Sequence, residues 1–181
     1  MKKLTYVISA SSIVIFLLCT LFHFLYKWSG YNKIVGIIAP TNESIFQHIK
    51  MIFVPIMLYY LIAFLIFKNK VNMDVNKWAV YPLITFAVTS AIVVLLYYTL
   101  NYGFNIESMF LDILTLLIGL VASSIICIRL ETSNINFQIP YYISIIVLIV
   151  IFGLLVYFNF FPLEINFFYD KENKTYYEVK K

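Results

Sequence analysis

Charged residues in this chain fall into a few short clusters, and long apolar stretches separate them. Residues 4–26, 51–67, 78–106, 113–128 and 132–163 contain no Asp, Glu, Lys or Arg. A helix that crosses a bilayer needs about 20 predominantly apolar residues. Five such helices fit, at about 5–26, 45–67, 78–100, 108–129 and 140–161. Between the first two lies "IVGII", residues 34–38. It is apolar but too short to cross, which predicts a re-entrant or interfacial piece. The pattern predicts an all-α membrane protein. A bundle of about five transmembrane helices occupies residues 1–161, and an aromatic, charged C-terminal tail occupies 162–181. That tail is too rich in Phe and Tyr for a disordered linker and is expected to fold back over the outer face.

Local residues refine these spans. Tyr26, Trp28 and Tyr31 suit an interfacial aromatic belt where the first helix leaves the membrane. Pro40 followed by Thr41 or Asn42 predicts the start of the second helix, with Glu43 in its first turn, where the helix dipole favours an anion. Pro55 predicts a kink within that helix. Ala87 with Ala91, and Gly119 with Ser123, are pairs of small residues four apart that let helix backbones approach closely.

Composition supports the same class. Of 181 residues, 62% are hydrophobic and 12% charged, half the roughly 25% charge of a soluble domain; the mean hydropathy is +0.90. The start, "MKKLTYVISASSIVIFLLCTLFHF", has the basic head of a signal peptide. Its apolar run is too long, and no A-x-A-like site follows, so it reads as the first span. Lys2, Lys3, Lys68, Lys70, Lys77 and Arg129 fall on one side of the membrane under this topology. Lys27 and Lys33 fall on the other, which argues for a cytoplasmic N-terminus and an extracytoplasmic C-terminus. The net charge of +4 then reflects topology and not nucleic-acid binding. Cys19 and Cys127 both lie inside spans and behave as small apolar residues. There is no CxxC, P-loop, GxGxxG or HExxH.

One stretch breaks the apolar pattern. "APTNESIFQHIK", residues 39–50, sets polar groups at the edge of the second span. At about 100° per residue, Glu43, Gln47 and Lys50 share one helix face, with Ser44 and His48 on the next stripe. A polar face in a membrane helix points into the bundle or a water-filled cavity, since an ionisable group in the apolar region costs roughly 3 kcal/mol or more. His23, one turn before the first span exits, and Asp112, just inside the fourth, belong at a similar depth. The expected pocket is therefore His23, Trp28, Ser29, Asn42, Glu43, Ser44, His48, Lys50 and Asp112. Of these, His23, His48, Glu43 and Asp112 are of the type that holds zinc. Each also has a structural reading: Glu43 at a helix N-terminus, Lys50 reaching to the headgroups, and the two His in interhelical hydrogen bonds.

The stretches "HFLYKWSGYNKIVGIIAPTNESIFQHIKMIFVP", "YYTLNYGFNIESMFLDIL" and "FPLEINFFYDKENKTYYE" resemble a bacterial family of small multi-spanning membrane proteins classed as a domain of unknown function, family 6512. The resemblance covers nearly the whole chain, and the H-F-x-Y-x-W-S-G…N-E-S-x-x-x-H-x-K spacing is specific. Members usually carry an acid at the place of Lys27, W-E-H at the place of Phe46-Gln47-His48, and a His in the C-terminal segment. These departures remove two acids and one His from any ligand set the resemblance implies. The family name implies no activity.

Three functions suit this pattern. The one weighted most is a non-catalytic membrane subunit or structural factor, in which the polar cluster fixes helix register. A metal- or His-dependent membrane enzyme acting on lipid or envelope substrates is the second. A small-solute binding protein or transporter is the third. The partners expected are membrane lipids and either a second copy or a membrane partner protein, with no nucleic acid.

Overall fold

The structure is a computed structural model and describes residues 2–133 and 139–179. Five α-helices follow in order: α1 (Lys2–Trp28), α2 (Ile45–Phe67), α3 (Val75–Tyr98), α4 (Met109–Thr132) and α5 (Tyr141–Phe160). A short 3-10 turn, Val35–Ile37, sits where the interfacial piece was expected, and a π-helical turn, Thr99–Gly103, extends α3. All five helices are long and apolar enough to cross a membrane. In lipid every backbone N–H and C=O must be paired within its own segment, which leaves the helix as the solution for such sequences. Exposure fits that solvent. Ile145, Ile146, Ile149, Val150 and Leu154 of α5 are all exposed, while Thr85, Thr89, Thr115, Ser123 and Ser124 are buried.

The contacts divide the chain into two compact units, the first made of residues 1–16 and 56–145, the second of 17–55 and 146–181. The division within α2 falls at Pro55 and Ile56, and the helix runs unbroken through the proline.

In the first unit, α3 and α4 pack closely. Asp74 caps α3, its Oδ1 accepting from the backbone of Asn76 at 2.9 Å and Lys77 at 3.3 Å, which satisfies N–H groups that a helix start leaves orphaned. Gly119 of α4 lies against the backbone of Thr89 of α3. A Cβ there would sit 3.0 Å from Thr89 Cα and 3.1 Å from its carbonyl oxygen. Gly119 and Ser123 thus lie in the helix contact as expected, but Ala87 and Ala91 are on the exposed face of α3; Thr85 and Thr89 are its buried small residues. Tyr60, Trp78 and Tyr81 form an aromatic core with centroids 5.4–6.4 Å apart. Its polar tips are satisfied: Trp78 Nε1 donates to the Tyr60 carbonyl at 3.1 Å, and the Tyr60 hydroxyl meets Thr85 Oγ1 at 2.9 Å.

The second unit combines the end of α1, the start of α2, the latter part of α5, the connection from residue 29 to 44 and the tail. The chain reverses after α1 through left-handed Gly30 (φ +69°) and Tyr31 (φ +61°). The Tyr31 N–H returns to the Tyr26 carbonyl at 3.0 Å, a closure that uses the glycine's freedom at positive φ. Phe46 anchors the tail, meeting Phe167 and Phe168 at 6.2 and 4.6 Å between centroids.

Candidate metal centre

α2 begins at Ile45, where the second span was expected to begin, but its cap falls two or three residues past Asn42 or Thr41. Asn42 Oδ1 accepts the Ser44 N–H at 3.0 Å, and Ser44 Oγ accepts the Gln47 N–H at 3.4 Å. These side chains end the irregular stretch and open the helix at Ser44, so Glu43 stands just before the first turn and not within it. The shift regroups the polar residues. Glu43 leaves the face it was expected to share with Gln47 and Lys50.

Its carboxylate instead meets both histidines. Glu43 Oε2 lies 3.5 Å from His23 Nε2 and 3.5 Å from His48 Nε2. The rings of His23 and His48 are 5.5 Å apart between centroids, and one ligand atom from each of the three residues lies within 4.8 Å of the others. His48 is fixed from behind. Its Nδ1 lies 2.9 Å from the Ser44 carbonyl oxygen, which only accepts, so Nδ1 carries the proton and donates. In the neutral ring the lone pair is then on Nε2, directed at the Glu43 carboxylate. Two acceptors facing each other require a proton or a cation between them. The same arrangement, a ring N–H held by a carbonyl, is what orients metal-ligating histidines. The His23 ring beside Glu43 holds its carboxyl below the ordinary carboxylate range; burial opposes this, and the charges of His48 and His23 add to it.

The spacing suits a small divalent ion. Tetrahedral ligands at about 2.0–2.1 Å from zinc lie roughly 3.3–3.4 Å from one another, and both Glu43–His distances are close to that. The side chains of His23, His48 and Glu43 are 33%, 34% and 40% exposed, so the centre is open on one side. Phe24 and Trp28, both exposed and stacked at 5.7 Å, stand on α1 within five residues of His23.

The sequence matches a family of unknown function, DUF6512, over residues 1–177. The chain belongs to that family. No curated protein and no solved structure matches it. Membership therefore carries no activity, and any function rests on the site itself.

The other residues expected in the pocket are placed as follows. Asn42 and Ser44 build the turn that presents Glu43. The Ser29 hydroxyl donates to the Tyr26 carbonyl at 2.7 Å and serves the reversal after α1. Lys50 is only 1% exposed, and its Nζ donates to the Gly36 carbonyl at 2.7 Å and to Asn159 Oδ1 at 2.6 Å. Gln47 Nε2 donates to the same Asn159 oxygen at 3.0 Å. Asp112 lies in the first turn of α4, in the first unit, and is not a member of the cluster. Sequence reasoning missed Asn159 and Asp170. Asn159 was visible as a lone amide within the apolar fifth span. Asp170 opens the polar run "DKENKT", the composition of a side-chain-capped turn.

Proposed function

We propose that this protein is a metal-dependent membrane protein whose His23–Glu43–His48 centre acts as a Lewis acid on the polar end of a lipid-like substrate at the membrane surface. The observation that carries the reading is the convergence of two imidazole Nε2 atoms on one carboxylate oxygen, with His48 oriented through Ser44. A divalent ion in such a three-ligand set keeps open positions and polarises a carbonyl or phosphoryl oxygen. The position supports the substrate class. His23 is about 7–8 Å from the end of α1 and His48 about 4–5 Å from the start of α2 at 1.5 Å per residue, the depth at which headgroups meet acyl chains. The exposed Phe24 and Trp28 beside His23 suit that interface. The Lys and Arg bias supports placing this end of the helices outside the cell, opposite a cytoplasmic N-terminus.

The test is the metal content of detergent-purified protein by elemental mass spectrometry, wild type beside His48→Ala and His23→Ala. Near-stoichiometric zinc or another divalent metal, lost in both variants, is expected. Wild type that neither carries metal nor takes it up from added zinc overturns the reading; the cluster is then a hydrogen-bond network within a non-catalytic membrane subunit.

A further inference from the structure

Glu43 has no helical hydrogen bonds to hold it, because it precedes α2. A ligand on irregular backbone must be fixed from outside, and here the C-terminal tail does it. Asp170 is fully buried. Its Oδ2 accepts the backbone N–H of Glu43 at 3.0 Å. Its Oδ1 accepts the N–H groups of Glu172 at 2.9 Å and Asn173 at 3.0 Å, and the Asn173 side chain donates to Oδ2 at 2.8 Å. Oδ1 therefore closes the turn through two backbone N–H groups, while Oδ2 takes the Asn173 side chain and grips the Glu43 backbone. Three more bonds tie the same stretch to the tail: Val179 N–H to the Thr41 carbonyl at 3.1 Å, Phe46 N–H to the Phe167 carbonyl at 3.0 Å, and Asn42 Nδ2 to the Tyr177 carbonyl at 3.0 Å.

We infer that Asp170 is a positioning residue for the metal centre, and that the tail from Phe167 to Val179 is the strap that holds Glu43 in ligating position. The inference rests on the metal reading above. Outer-shell hydrogen bonds of this kind change metal affinity by about 10–100-fold when removed. Coupling between the ion and the strap is also reciprocal: what the tail gives to metal binding, the metal returns to tail docking.

In Asp170→Asn the remaining carbonyl still accepts the N–H groups of Glu172 and Asn173, while the new amide places a donor against both the Glu43 N–H and the Asn173 side chain. Asn173→Ala disturbs the turn but leaves the bond to Glu43. Affinity for zinc(II), by chelator competition on the full chain in detergent, should fall about 10–100-fold in Asp170→Asn and stay at the wild-type value in Asn173→Ala. The absorption of the cobalt(II) form should change in the first variant alone. A second measurement needs no variant of the strap. Zinc should slow tryptic cleavage at the exposed Lys171 and Lys174 in wild type and not in His48→Ala. Equal affinities in wild type and Asp170→Asn, or cleavage of wild type unaffected by zinc, overturn the positioning role while the metal centre stands. Wild type that binds neither ion overturns both.

Discussion

Lys50 Nζ and Asn159 Oδ1 are 2.6 Å apart, joining α2 to α5 inside a unit that leaves the lysine nowhere to reach solvent. The same amide oxygen serves Gln47, so Asn159 is the acceptor on which two buried donors depend. Replacing it takes the acceptor from Gln47 Nε2 and leaves Lys50 Nζ with the Gly36 carbonyl. Asn159→Leu should cost about 1–3 kcal/mol, the usual penalty for leaving a buried polar group unpaired, and Lys50→Met with Asn159→Leu should cost less than the two changes summed. Unfolding in mixed micelles, run as a double-mutant cycle, measures the coupling. Additive effects would show that the contact carries no energy.

Metal should stabilise the folded chain by mass action. Free zinc at 100 times its dissociation constant adds about 2.7 kcal/mol, seen as a higher melting temperature that a chelator reverses. His23→Ala should show the metal-free melting temperature with or without zinc. A shift of equal size in that variant would place the ion elsewhere.

Acid should weaken the metal-free centre in one direction only. Glu43 has its carboxyl held below the ordinary range by His23, so its contribution to stability is complete above the pKa of an unfolded glutamate and is lost as pH falls through the lower folded value. The difference in melting temperature between wild type and Glu43→Gln should be full between the carboxylate range and the range where an imidazolium loses its proton, and should shrink on acidification below the carboxylate range. A difference that instead grew on acidification would contradict the sign of the shift.

The contact of α3 with α4 gives a test free of the metal site. Gly119→Ala puts a carbon 3.0 Å from Thr89 Cα, and backbone cannot step aside as a flexible side chain does. The expected cost is about 1–3 kcal/mol, in the range of overpacked cores, and Gly119→Leu should be worse. Gly153→Ala in α5 meets nothing within 4 Å and should be neutral, or stabilising by up to about 1 kcal/mol through helix propensity. Thermal denaturation of the three variants side by side decides it.

The five helices were legible because their signal is redundant: each rests on some twenty residues, and a misread position changes nothing. Five crossings also require the stretch after α1 and the stretch after α5 to emerge on one side, and the bonds from Asp170, Phe167, Tyr177 and Val179 to residues 41–46 accord with that. Depth brought His23, Glu43 and His48 together correctly, since all three sit at helix ends. Depth says nothing about azimuth or tertiary partners: Lys50 turns to Asn159, and Asp112 belongs to the first unit. The 45–67 span held, but the cap was placed too early: Asn42 and Ser44 both have capping side chains, and the bond from Gln47 N–H to Ser44 Oγ shows that Ser44 opens the helix. Asp170 was out of reach for another reason. Its turn was readable, but no local pattern tells which distant N–H a buried carboxylate will take.

That distance has a consequence for how the protein is made. Glu43 and Asp170 are 127 positions apart. During synthesis, His23, Glu43 and His48 emerge and the first two helices can enter the bilayer long before Asp170 exists. The ligand loop must wait through the insertion of three more helices before anything grips it. On the proposed metal reading, an ion would bind at full affinity only after the tail has been delivered, so a stalled or clipped chain would be inserted and helical but would hold the ion more weakly.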